Sequence, residues 1–356
     1  MDHFEMNNSM LSVLLPVYNG EPFLAEAIES ILRQSFKNFE FIIINDGSQD
    51  SSGEIIDYYA ANDSRIRAFH QDNQGLVATL NRGVELARSP FIARMDADDV
   101  SLPQRFELQL PQLIAQPRLA VVGGFINIVD EEGRFLKHAA YPVGKDDVAR
   151  FLEADSPFAH PTVIMRRSVV EGIGGYRSAY RCAQDYDLWL RIYDAGYDLE
   201  NVPETILNYR QHAGSISLRN GCQQLLAARA ARLAHRARQN DMPDPTDQAV
   251  HITKSTISDF PAELRGDVDA ELFALQHNMG AFPAIDELYR ALDGYRMLSK
   301  YARRDARLVH FHRWAARGFY LHGKYTAAIR EVLYAAWRDP LVIARILQLA
   351  CGVRRR

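Results

Sequence analysis

Phe91-Ile92-Ala93-Arg94-Met95-Asp96-Ala97-Asp98-Asp99 is an apolar, strand-like run that delivers three carboxylates onto a turn. Carboxylates crowded within a few ångströms repel one another and each must be desolvated, so such a cluster points to a hard divalent cation or a shared proton. In open α/β sheets ligands collect beyond the carboxyl ends of the strands, where these groups fall if Phe91 to Met95 is a strand. The competing reading is an Asp-rich turn that caps a helix starting near Pro103. The residues by themselves leave both open.

Upstream, Leu11 to Leu15, Phe39 to Ile44 and Ile66 to Phe69 read as further strands, while Phe23 to Arg33, Glu54 to Ala61 and Leu76 to Ala87 carry apolar residues at helical spacing. Ser51-Ser52-Gly53-Glu54 has the form of a capping box for the middle helix. Continuous runs such as Phe41-Ile42-Ile43-Ile44 suit strands covered on both faces, and β-α alternation implies crossovers into a parallel sheet.

Downstream come a helix around Arg105 to Ala115, strands at Val121-Val122-Gly123-Gly124 and Ile126 to Asp130, and a turn at Glu131-Glu132-Gly133. Strands at Thr162 to Met165 and Ile206 to Tyr209 flank a short helix at Asp187 to Tyr193. Gln223 to Arg238 is Ala- and Arg-rich and helical in pattern, ended by Asp241-Met242-Pro243-Asp244-Pro245, a natural linker. The expected organisation is an α/β domain over residues 1–220 and a helical region over 221–356, with a linker near 241–246.

A hydrophobic content of 47% with 24% charged residues excludes wholesale disorder. Cys182, Cys222 and Cys351 form no C-x-x-C pair and are odd in number, so neither a zinc ribbon nor a disulfide framework is indicated. The polar N-terminus lacks a secretory pattern and no apolar run reaches membrane-spanning length, so a cytoplasmic protein is expected. The net charge of -4 conceals an asymmetry: residues 290–356 hold about 15 Lys+Arg against about 4 Asp+Glu.

After the first strand comes Pro16-Val17-Tyr18-Asn19-Gly20-Glu21-Pro22, which holds a single glycine, so neither a dinucleotide fingerprint nor a P-loop is present. After the second strand comes Asn45-Asp46-Gly47-Ser48, good turn chemistry at another carboxyl end. These segments and the acidic turn follow one another across consecutive strand ends. In that order they resemble glycosyltransferase family 2. Asn81-Arg82-Gly83, Leu102-Pro103-Gln104-Arg105, Gly174-Gly175-Tyr176, Gln184-Asp185-Tyr186-Asp187-Leu188-Trp189-Leu190-Arg191 and Tyr209-Arg210-Gln211-His212 extend the resemblance over residues 10 to 218.

The resemblance implies a glycosyltransferase A-type α/β sheet with flanking helices and a metal-dependent transfer of sugar, with inversion, from a nucleotide-sugar donor carrying UDP. It implies that Pro16 and Tyr18 frame the base, that Glu21 and Asn81 lie on the donor side, and that Asp46 accepts from a uracil-like imide N–H, as an ionised carboxylate can. By the same resemblance Asp96 meets the ribose side, Asp98 and His212 hold Mn or Mg, and Asp185 is the general base. Asp99 and Asp187 remain competitors for these roles, and His160 reads as a structural histidine. The Gly123-Gly124 and Gly174-Gly175 pairs read as turns, and Trp189 reads as core. Gln184 stands where the family often has Glu, which touches acceptor positioning rather than the base.

The implied setting is bacterial-type surface polysaccharide or glycolipid synthesis, with a saccharide or lipid-linked acceptor. The basic, apolar tail fits the inner face of an anionic membrane, or simply a solvated basic face, better than nucleic acid. Two rival functions are a nucleotide-sugar-binding scaffold without transfer and a sugar nucleotidyltransferase. The second is disfavoured because Val17-Tyr18-Asn19-Gly20-Glu21 stands where a Gly-rich basic signature belongs.

Overall fold

The computed structural model describes residues 9–212, 221–261 and 322–338, with single positions at 264, 292, 312, 315 and 319. The chain forms two compact units, Met1–Thr256 and Ile257–Arg356. Most of the basic tail, including everything after residue 338, lies outside the described residues.

The first unit opens with three βα repeats and a fourth strand: β1 (Leu11–Val17), α1 (Glu21–Leu32), β2 (Phe39–Asp46), α2 (Ser52–Asn62), β3 (Ile66–Gln71), α3 (Leu76–Leu86) and β4 (Phe91–Arg94). Then come β5 (Val100–Ser101), α4 (Arg105–Ala115), β6 (Leu119–Val129), β7 (Phe135–Ala139), α5 (Lys145–Leu152), β8 (Ile164–Arg166) and α6 (Arg167–Gly172). The unit continues with α7 (Gln184–Asp194), β9 (Asp198–Arg210) and α8 (Gly221–Gln239).

The strands make one sheet in the order β3-β2-β1-β4-β8-β6-β9-β5, with β7 paired to β6. β1 pairs in parallel with both β2 and β4, and every residue of β1 and β2 is buried, as unbroken apolar runs require when helices cover both faces. The expected parallel sheet holds through β4 and then becomes mixed, because β8 runs antiparallel to β4 and β6. The two strands expected at 121–124 and 126–130 are one, β6, which pairs with β9 over most of its length.

Three local expectations are corrected. Gly123 and Gly124 lie inside β6 rather than in a turn; a Cβ there would collide with Phe158, Asn201, Val202 and Ile206, so glycine is needed for close packing. The capping box at Ser51 does not form. Asp50 Oδ1 instead accepts from the Ser52 N–H at 3.1 Å, and Ser52 Oγ accepts from the Gly20 N–H at 2.9 Å, which ties the β2–α2 loop to the start of α1.

Nor do residues 241–246 act as a linker. His235, Arg238 and Gln239 of α8 converge on Asp194 at the end of α7, at 2.6, 2.7 and 2.9 Å, and Arg238 also reaches Asp244 at 2.9 Å. The helix assigned by sequence to the C-terminal region therefore packs in the first unit, and the division falls at Thr256.

Gly83 on α3 faces Leu14 of β1 so closely that a Cβ would overlap the leucine side chain, which is 1% exposed. Gly83→Ala is expected to destabilise the fold by about 1–3 kcal/mol through overpacking. Chemical denaturation of the two proteins, compared at equal m-value, measures it.

Candidate active site

The carboxyl ends of β1, β2 and β4 lie side by side, and their loops brace one another. Asn19, in the left-handed region at φ 52°, donates its N–H to Ser48 Oγ at 3.0 Å and accepts the Gln49 N–H at 2.8 Å. Glu21 donates its N–H to Asp50 Oδ2 at 3.0 Å and accepts from the Ser51 N–H at 3.2 Å. Gly20 approaches Ala97, which brings the first loop against the acidic turn.

Pro16 sits within buried β1, two residues past Leu14, the last residue paired with β4. Leu14 C=O accepts from Met95 N–H, so the same edge of β1 at Pro16 faces the point where β4 has ended and the missing N–H costs no ladder bond. Pro16 thus shapes the strand end, and Tyr18, 54% exposed, offers the ring.

On the acidic turn, ligand atoms of Asp96, Asp98 and Asp99 all lie within 4.8 Å of one another. Each carboxylate has a different protein partner. Asp96 forms an ion pair with the buried guanidinium of Arg94. Asp98 Oδ2 lies 3.0 Å from His212 Nε2, across 114 residues of sequence. Asp99 is buried, and its Oδ1 accepts the backbone N–H of Arg210 at 2.9 Å while its Oδ2 has no hydrogen-bond partner.

Burial raises the carboxyls of both Asp96 and Asp99. For Asp96 the Arg94 charge pulls the other way; for Asp99 repulsion from Asp96 and Asp98 adds to the rise and takes it well above the ordinary range. Three crowded carboxylates, one with an orphaned oxygen, plus a nearby imidazole form an oxygen-rich set with one nitrogen, suited to Mn or Mg. The helix-cap reading fails, since Asp99 caps no helix but fastens the end of β9. Arg105, fully buried, donates to the carbonyls of Arg94 at 2.8 Å and Val163 at 3.2 Å, bracing the end of β4; burial and the Arg94 charge pull its guanidinium down to about 9.

Asp185 and Asp187 stand in different surroundings. Asp187 is wholly buried and clasped by Arg177 and Arg191, the latter at 2.9 Å. Asp185 lies at the N-terminus of α7 and shares the electrostatic surroundings of Arg94 and Asp96. Burial raises its carboxyl, partly offset by the backbone N–H of Tyr186 and by Arg94. His160 donates to or accepts from Tyr176 Oη at 2.9 Å in a buried aromatic group with Trp189, matching the structural reading of both His160 and Trp189.

Two donor-side candidates are engaged by protein partners. The Asn81 amide donates to Tyr176 C=O and accepts from Tyr176 N–H, both at 2.8 Å, which ties α3 to the Gly174-Gly175 turn 95 residues away. Asp46 is 3% exposed and already accepts from Gln71 Nε2 at 2.7 Å and from the N–H groups of Gln74 and Gly75 at 2.9 Å. Arg94, Arg210 and Gln71 were not singled out by sequence. Arg94 carried a signal, a charge inside an apolar strand, and Arg210 stood within the Tyr209-Arg210-Gln211-His212 motif.

The model of the family described as Glycosyl transferase family 2 matches residues 12–174. The putative glycosyltransferase EpsE of Bacillus subtilis (strain 168) is 36% identical over 218 residues, which is 59% of this chain and 76% of that protein. The O-antigen biosynthesis glycosyltransferase WbnJ of Escherichia coli is 35% identical over 206 residues, 57% of this chain and 80% of that one. The amylovoran biosynthesis glycosyltransferase AmsE of Erwinia amylovora is 30% identical over 215 residues, covering 60% and 80%. Among solved structures, S. aureus TarS 1-349 in complex with UDP-GlcNAc superposes with a TM-score of 0.56 at 14% identity over 93% of this chain and 92% of that one. A longer TarS chain is covered to 54%, with a TM-score of 0.53, 15% identity and 89% of this chain. At these identities the structures establish the shared fold.

Proposed function

The chain belongs to glycosyltransferase family 2, and from that premise we propose that it transfers a sugar from a UDP-sugar to a hydroxyl acceptor with inversion, in the synthesis of a bacterial surface polysaccharide or glycolipid. The observation that carries the site assignment is the meeting of Asp98 and His212 at 3.0 Å beside Asp96 and Asp99, at the carboxyl end of a parallel strand. The UDP reading is supported by the UDP-GlcNAc complex of TarS, and the polysaccharide setting by the roles of WbnJ and AmsE.

In this reading the exposed ring of Tyr18 stacks on the base. A carboxylate offers about four lone-pair positions, and three at Asp46 are occupied by protein donors, so one remains to accept the imide N–H of uracil. Glu21 sits at the rim, its carboxylate fixed on Ser51. Asp96, held by Arg94, accepts from the ribose hydroxyls. Asp98 and His212 hold the divalent cation, whose chemistry when bound is to neutralise charge on the departing diphosphate. Asp185 accepts the proton of the acceptor hydroxyl as its oxygen attacks the anomeric carbon from the face opposite the diphosphate.

Thermal unfolding with UDP, GDP and UDP-sugars, each with and without Mn, tests the donor. UDP with Mn is expected to raise Tm most, since ligand at 100 times Kd stabilises by about 2.7 kcal/mol. Equal shifts by GDP and UDP would remove the uridine assignment. Release of UDP from a UDP-sugar separates an enzyme from a binding scaffold.

We also propose peripheral attachment to an anionic membrane through the second unit. Among the described residues no helix is long and apolar enough to cross a membrane. On the helix Tyr325–Arg338, Ile329 and Leu333 stand one turn apart and are 60% and 62% exposed, with Lys324 and Arg330 nearby. Sedimentation with anionic vesicles is expected to fall as salt rises and to drop on deletion of residues 341–356; unchanged binding after the deletion counts against the tail as the anchor.

A further inference from the structure

Arg210 ends β9 two residues before His212, and no part of its side chain is idle. Its side chain is 4% exposed and its guanidinium bridges three segments: Nε donates to Asp98 C=O at 3.0 Å, Nη1 to Glu131 C=O at 2.7 Å, and Nη2 meets Glu26 Oε2 at 2.6 Å. Its backbone N–H donates to Asp99 Oδ1. The guanidinium lies 4.9 Å from the Phe23 ring centroid, and the same ring lies 4.9 Å from the His212 imidazole. One residue therefore grips the acidic turn from two sides, anchors it to α1 and to the β6–β7 hairpin, and shares an aromatic platform with the histidine that meets Asp98.

Burying a guanidinium costs several kcal/mol unless its donors are satisfied, and an apolar residue of similar volume often serves stability equally well. The donors of Arg210 go to the carbonyl between Asp98 and Asp99 and to the hairpin carbonyl, which is the arrangement needed to fix the direction of the two carboxylates. Lysine cannot reproduce it, because its single nitrogen is a point charge without a planar fork.

We propose that Arg210 is a positioning residue that sets the geometry of the divalent-cation site by holding the Asp98–Asp99 turn and His212 in register. The inference rests on the reading of Asp98 and His212 as cation ligands. Outer-shell partners of metal ligands typically govern about 10–100-fold in metal affinity. Arg210→Met is therefore expected to weaken Mn binding in the presence of UDP, read by the EPR signal of free Mn, by about that factor. Transfer should recover most of its rate at saturating Mn.

Arg210→Lys keeps the charge near Glu26 and the stem over Phe23, and serves if the methionine variant does not fold. Its Mn affinity is expected to fall while Tm stays close to the parent value. Loss of Tm with unchanged Mn affinity in either variant overturns the proposal in favour of a purely structural arginine. If the parent protein itself binds no Mn with UDP, the cation reading falls, and this inference with it.

Discussion

Asp98→Ala is expected to lower transfer by about 10³-fold or more and to abolish the extra thermal stabilisation that Mn adds to UDP, while UDP without metal still binds. Removing a single group aimed at developing charge costs about 10²–10³-fold in other enzymes, and this carboxylate is assigned both to hold the cation and to position the imidazole. His212→Ala should follow the same pattern at about 10–100-fold, because Asp98 remains. The pair is 3.0 Å apart with side chains 32% and 19% exposed, so both changes should leave Tm without ligand nearly unaltered. Activity and Mn response measured on the two variants separate this reading from that of a binding scaffold. Full transfer by Asp98→Ala without metal would end it.

The βα repeats were legible because each element satisfies a local rule. Phe41 to Ile44 is a continuous β-branched and aromatic run, and it becomes a strand covered on both faces. Helix ends and turns were less legible, since they depend on partners far away in sequence. Ser51-Ser52-Gly53-Glu54 has the composition of a capping box, yet Ser52 is drawn to the backbone of Gly20, 32 residues distant, and Asp50 takes over at the helix start.

The site divides along the same line. Asp98 and His212 were paired by the resemblance of their flanking motifs, and the fold brings them within hydrogen-bond distance. Asn81 carried the same kind of resemblance, but a primary amide is both donor and acceptor and therefore serves equally well as a strut between backbone segments, its role beside Tyr176. Periodicity cannot distinguish these outcomes. Asp187 and Asp185 stand two apart on one helix, and only the arrival of Arg177 and Arg191 shows that Asp187 is neutralised within the fold.

Asp185→Asn is expected to lower kcat by about 10²–10⁴-fold, the range for loss of a general base, with KM for the donor little changed. The carboxyl is raised by burial, against the pull of the Tyr186 N–H and Arg94. A base must be ionised, so the acid limb of kcat against pH should fall above the ordinary aspartate value of about 3.9, and the asparagine variant should lose that limb. Stability follows the opposite sign. A carboxyl whose folded pKa lies above its unfolded value favours the native state below the unfolded pKa, and that contribution is lost as pH rises through the folded value. Near neutral pH the ionised Asp185 thus weighs against folding, and Asp185→Asn should keep or raise Tm while it removes activity. Asp187→Asn provides the contrast: it strips a buried partner from Arg177 and Arg191 and should lower Tm. A variant of Asp185 that loses stability and activity together would place this residue with Asp187 as part of the scaffold, and the base would have to be sought elsewhere.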